Sequence, residues 1–124
     1  MRVLLDTNFF LLPCQFGVDV FGEIERVVES KYKLITISPV VRELRGLARE
    51  RGKEGRAARV GLELLKKKDI KVIDVKKQDA DDAIVKLSDE GVIVATLDKE
   101  LRDRLRKKGR KTIYLRGKQK LVLG

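Results

Sequence analysis

The chain has 124 residues, with 29 Lys plus Arg against 19 Asp plus Glu and a formal charge of +10, which suits one domain with one core and favours polyanionic partners. A single Cys and no His exclude an internal disulfide, a zinc site of the usual type and a His-based triad, so catalysis must run on carboxylates, hydroxyls, Lys or a metal. No apolar run approaches the roughly 20 residues of a membrane span, and the expectation is one cytoplasmic domain over residues 1–124 with no membrane partner.

Five apolar, β-branched runs alternate with helical patterns, as in a parallel sheet covered by helices on both faces. The first, Val3 to Leu5, stops on Asp6, which delivers an acid to the C-terminal sheet edge where open α/β folds place their ligands. A helix is expected from about Asp19 to Ser30, with Val20, Ile24, Val27 and Val28 as its apolar stripe. Phe9, Phe10, Phe16 and Phe21 read as core or as a homodimer contact, and Cys14 as a small buried or interfacial hydrophobe. Leu34 to Ile37 forms the second strand, and Ser38-Pro39 opens the next helix as N-cap and first helical residue. Gly52 and Gly55 bracket a loop before a helix through Ala58, Leu62 and Leu65. Lys71 to Val75 is the third strand, Asp79 caps a fourth helix, and Val92 to Ala95 is the fourth strand. A fifth helix begins near Asp98 and ends near Gly109. Thr112 to Leu115 is the fifth strand, and Gln119 to Gly124 adds a short strand at the edge.

Four carboxylates stand out. Asp6 serves either a turn or a site, and Asn8, the single Asn of the chain, is placed to hold Asp6 or a metal-bound water. Glu43 lies too deep in its helix for a capping box, and its helical neighbours Pro39, Val40, Gly46 and Leu47 include no cation. A carboxylate beside an apolar stripe must be paired across the fold, bind a cation, or keep its head in water. Asp79 and Asp82 make a capping pair at a helix N-terminus, which leaves Asp81 as the inward candidate, about 100° from Ala80 on the wheel where Asp82 is about 200° away. Asp98 repeats the pattern of Asp6 after a strand and also suits a helix cap, with Thr96 on the same edge. Four acids from two strand ends and two helices suit one or two hard cations bound through oxygen.

Leu5-Asp6-Thr7-Asn8, Glu43 after Ser38-Pro39-Val40-Val41, Ala80-Asp81-Asp82-Ala83-Ile84 and Val94-Ala95-Thr96-Leu97-Asp98 resemble, in order and spacing, the PIN-domain (PilT N-terminal) nuclease family over nearly the whole chain. The segments are most like small archaeal members related to the ribosomal-RNA-processing branch; similarity to VapC-type toxins is looser. The resemblance implies a three-layer α/β/α sandwich around a parallel sheet of about five strands. It also implies an acidic quartet on Asp6, Glu43, Asp81 and Asp98, one or two Mg²⁺ or Mn²⁺ ions, and cleavage of single-stranded RNA such as a ribosomal-RNA precursor. In the family pattern the metal-binding Asp precedes apolar positions three and four residues on, which are Ile84 and Val85 from Asp81 but Val85 and Lys86 from Asp82.

Thr7, Asn8, Asp82 and Thr96 are then supporting hydrogen bonders. Residues 96 to 124 carry eleven basic and three acidic side chains. Lys99, Arg102, Arg104, Arg106, Lys107, Lys108, Arg110, Lys111, Arg116, Lys118 and Lys120 are the candidates to grip the phosphate backbone. Rival readings are a non-catalytic RNA-binding or ribosome-assembly module, a toxin with an antitoxin-like partner, and a phosphotransfer domain with Asp6 as nucleophile. The last lacks a second acid at position 8, which is Asn.

Overall fold

The computed structural model describes residues 1–76, 80–89, 91–117 and 119–124. In chain order the elements are β1 (Arg2–Leu5), α1 (Thr7–Phe16), α2 (Val20–Val27), β2 (Lys33–Ile37), α3 (Ser38–Ala48) and α4 (Lys53–Lys67). They continue with β3 (Lys71–Ile73), α5 (Ala80–Leu87), β4 (Val92–Ala95), α6 (Lys99–Lys107), β5 (Thr112–Arg116) and β6 (Lys120–Leu123). Val3, Leu4 and Leu5 have no exposed surface, the state of a strand covered on both faces.

The sheet order is β3-β2-β1-β4-β5-β6, parallel except for β6. The chain steps outward from β1 to β3, then crosses back to β4 and steps the other way, so the order reverses between β1 and β4. Open α/β sheets place their ligands at the C-terminal edge of such a reversal, and Asp6 stands at that edge, just beyond β1. α1, α3 and α4 pack together, with α2 against α1, and α5 packs on α6, the two groupings that right-handed crossovers put on opposite faces of the sheet. The sixth strand is the tail segment expected at the edge. Its exposed ladder is met by a side-chain pair: Glu23 accepts from the Leu121 N–H at 3.0 Å and Arg26 donates to the Leu121 carbonyl at 2.7 Å, which satisfies an otherwise open edge.

Several local expectations are corrected. The first helix is α1, immediately after Asp6, and the expected Asp19–Ser30 helix is the second; Asp19 is its N-cap, and it runs only from Val20 to Val27. Phe9, Phe10, Leu11 and Leu12 are all buried, so α1 shows no polar stripe to read, and Pro13 within it mimics a breaker. Ser38 is not an N-cap: Ile37 holds that position, and the Ser38 hydroxyl accepts from the Val75 N–H at 3.1 Å, tying α3 to the end of the β3 segment. Gly55 belongs to α4 rather than to a loop; a Cβ there would collide with the Glu50 carbonyl, so the turn before α4 needs the missing side chain. β3 ends at Ile73, short of Val75, and the Asp79 cap lies outside the described residues.

The contact between α1 and α4 depends on Gly61, where a Cβ would sit 2.8 Å from the Phe10 carbonyl oxygen. Alanine gains about 1 kcal/mol of helix propensity but costs about 1–3 kcal/mol of overpacking against a backbone that cannot rotate away. Gly61→Ala should therefore lower the urea midpoint, whereas Gly46→Ala, with nothing within 4 Å, should raise it. Equal shifts for the two would refute this packing account.

Candidate active site

β1 delivers Asp6 to the reversal with its backbone N–H bonded to the Ala95 carbonyl at 3.0 Å, the last rung between β1 and β4. The side chain is 8% exposed. One carboxylate oxygen accepts from the Thr7 N–H and the other from the Thr96 hydroxyl, both at 2.8 Å. Thr96 is itself fixed: its N–H bonds the Ile113 carbonyl at 3.0 Å and its hydroxyl oxygen accepts from the Asp98 N–H at 3.1 Å. Asp98 caps α6, accepting from the N–H groups of Glu100 and Leu101 at 2.9 and 3.2 Å. On the other side the Thr7 hydroxyl donates to Glu43 on α3 at 2.9 Å. One run of hydrogen bonds thus links Glu43, Thr7, Asp6, Thr96 and Asp98 across two strand ends and three helices.

Two bonds to a charged acceptor contribute about 1.5–3 kcal/mol each, while burying a carboxylate costs several kcal/mol. The balance leaves the ionised form of Asp6 under-compensated: burial pushes its pKa up, the bonds from Thr96 and Thr7 pull it part of the way back, and the charges of Glu43 and Asp98 push it up again. Among the described residues none of these three acids has a Lys or Arg within salt-bridge distance. An all-oxygen, acidic set without an internal counter-cation fits a hard divalent ion. As placed, no three acids among the described residues stand close enough together to hold one.

Asp81 is half-buried in the first turn of α5, and Asp82 is exposed and accepts from Arg104 at 2.9 Å, docking α5 on α6. Asn8 is exposed, and among the described residues no hydrogen bond joins its amide to Asp6. The basic segment does not form one surface. Lys108 donates to the Val85 carbonyl at 2.9 Å and with Arg104 holds α6 against α5. Arg110 and Lys111 precede β5 and share a cavity with Met1, Glu29 and Asp89 at the opposite edge of the sheet. Arg102 and Arg106 lie over Tyr114, with Cζ at 4.2 and 5.4 Å from the ring centre. Lys99 and Lys107 are exposed on α6, and Arg116 and Lys120 are exposed on the final hairpin. Lys118 lies outside the described residues. Sequence reasoning passed over Tyr114; the signal that could have found it is an aromatic side chain inside the basic run.

Residues 3–118 match the family model described as a PIN like domain. The ribonuclease VapC4 of Methanocaldococcus jannaschii is 36% identical over 107 residues, covering 84% of this chain and 82% of that protein. Among solved structures, that of the PIN domain endonuclease Utp24 aligns with TM-score 0.80 at 27% identity, over 98% of this chain and 90% of the other. A domain of a functionally unknown M. jannaschii protein aligns with TM-score 0.61 at 21% identity, over 94% and 91% of the two chains, a likeness of fold alone.

Folded chain protonates Asp6 more readily than unfolded chain does, so stability falls as pH rises from the ordinary aspartate range through the raised value. In metal-free buffer Asp6→Asn, which keeps an acceptor for the Thr7 N–H and turns an amide N–H toward the Thr96 hydroxyl oxygen in place of the acceptor there, should melt at higher temperature than the parent at pH 7. The difference should close as the pH drops below about 4. A difference that stays constant with pH would count against burial as the dominant cause.

Proposed function

Since the chain belongs to the PIN-like domain family, whose fold it shares, we propose that it is a metal-dependent endoribonuclease acting on single-stranded RNA at the Asp6 edge. The observation that carries this reading is the convergence of Asp6, Glu43 and Asp98 at the β1/β4 reversal with no described cation between them. Asp6, Glu43, Asp81 and Asp98 would hold Mg²⁺ or Mn²⁺, which supplies an activated water and neutralises charge developing on the phosphate.

The protein's own part is positional. Thr96 and Thr7 clamp the two oxygens of Asp6, and Thr7 also fixes Glu43, so the acids are held before substrate arrives. The half-buried Asp81 and outward Asp82 support Asp81 as the fourth ligand. The likeness to VapC4 supports a toxin-type ribonuclease with an antitoxin-like partner, and the likeness to the endonuclease Utp24 supports cleavage within the strand. Acids gathered at one edge favour a nuclease over a non-catalytic module.

Labelled single-stranded RNA incubated with the protein should be cut only when Mn²⁺ or Mg²⁺ is present, and Asp6→Asn should lose nearly all of that activity. Cleavage in chelator, or an Asp6→Asn variant as active as the parent, would sink the mechanism. Tight, salt-sensitive binding without cleavage would favour the non-catalytic module. Thr96→Val, which frees one oxygen of Asp6, should cost about 10–100-fold in activity with the metal present.

A further inference from the structure

α6 divides its cations by their spacing. Arg104 and Lys108, four residues apart, are committed to Asp82 and to the Val85 carbonyl. Arg102 and Arg106, also four apart and therefore on another side of the helix, are both laid over the Tyr114 ring. Neither makes an ion pair among the described residues, and the Arg102 Nε is buried without a hydrogen-bond partner. The guanidinium of Arg102 is thus positioned by the π face of the ring. Two like charges brought together with no described counter-charge disfavour one another, and a polyanion relieves that.

Arg102 lies one helical turn after Asp98, the cap of α6, and Tyr114 stands on β5, the strand next to β4. The Arg102 N–H bonds the Asp98 carbonyl at 3.0 Å, and Tyr114 follows Ile113, whose carbonyl accepts from the Thr96 N–H at 3.0 Å. The stacked pair is thus carried by α6, which Asp98 caps, and by β5, which the Thr96 N–H joins. A guanidinium held over a ring keeps N–H groups that can take a phosphate bidentately, and it has little freedom left to lose on binding.

We propose that Arg102 and Arg106, set on Tyr114, form a preorganised clamp for the phosphate backbone of single-stranded RNA next to the Asp6 edge. The inference rests on the ribonuclease reading above. It distinguishes these two arginines from the rest of the basic segment, whose charge acts diffusely or holds the fold.

The test is binding of a short fluorescein-labelled oligouridylate to the intact chain in chelator, followed by cleavage kinetics with Mn²⁺. Arg102→Ala should weaken binding about tenfold and reduce the salt dependence by about 0.7 in log–log slope for each phosphate that is no longer neutralised. Lys67→Ala, which removes the same charge from an exposed position on α4, should leave affinity near that of the parent. Arg102→Lys, which keeps the charge but not the planar fork, should fall between Arg102→Ala and the parent. Tyr114→Leu should weaken binding while Tyr114→Phe restores it, and melting curves establish that each variant is folded; if Tyr114→Leu is not, the Arg102 variants decide alone. In cleavage, Arg102→Ala should raise KM with little change in kcat. A parent that cleaves RNA while Arg102→Ala binds as Lys67→Ala does overturns the clamp and leaves the ribonuclease standing. A parent that neither binds nor cleaves removes both.

Discussion

A carboxylate buried at the end of a central strand must be supplied with donors, and the local architecture follows from how Asp6 is supplied. Its backbone already serves the last rung of the β1–β4 ladder, so the side chain draws on what lies to either side. Thr7 can offer its N–H because α1 begins at once, leaving its first amides without helical acceptors. Thr96 can offer its hydroxyl because β4 is the neighbour of β1 in space although 90 residues separate it from Asp6 in the chain. Strand order, helix start and site geometry are one arrangement.

That arrangement brings charges of one sign together within a protein of the opposite net sign. Glu43 and Asp98 reach the Asp6 edge from two different helices, each fixed by a threonine that also bonds Asp6 or its neighbour. Their repulsion raises the proton affinity of Asp6, in the same direction as burial. The edge therefore gathers like charges with no described counter-cation. On α6 the reverse holds: Arg102 and Arg106 share one aromatic ring without a paired acid among the described residues. The acids and the stacked arginines draw on adjoining elements, β4 with α6 and α6 with β5.

The strands were legible because a parallel sheet buried on both faces demands continuous apolar runs, and Val92–Ala95 has the expected bounds. Helices with one wet face were legible from their stripe, as α2 was. Helix α1 was not, since Phe9 to Leu12 are buried all round and carry no period to detect. Ser38 before Pro39 carries the signature of a cap, yet its hydroxyl found a partner in Val75, 37 residues away. Gly55 looked like a loop residue and is a helical one, because what it avoids is the carbonyl of Glu50. In each case an interaction distant along the chain or hidden from water outweighed a local preference.

For the site, the sequence by itself determined which chemistry was open to the protein. Without His and with one Cys only oxygen donors remain in number, and residue type sets what a donor can bind. It also marked Asp6 and Asp98, since both follow apolar strands whose direction is dictated by burial. Only the tertiary structure decided which donors meet. Thr7 holds both Asp6 and Glu43, Arg104 draws Asp82 outward, and Tyr114 gathers two of the many cations of the basic segment. The physical reason is that hydrogen bonds and cation–π interactions act over a few ångströms, and proximity at that scale comes from strand order and helix packing rather than from spacing along the chain.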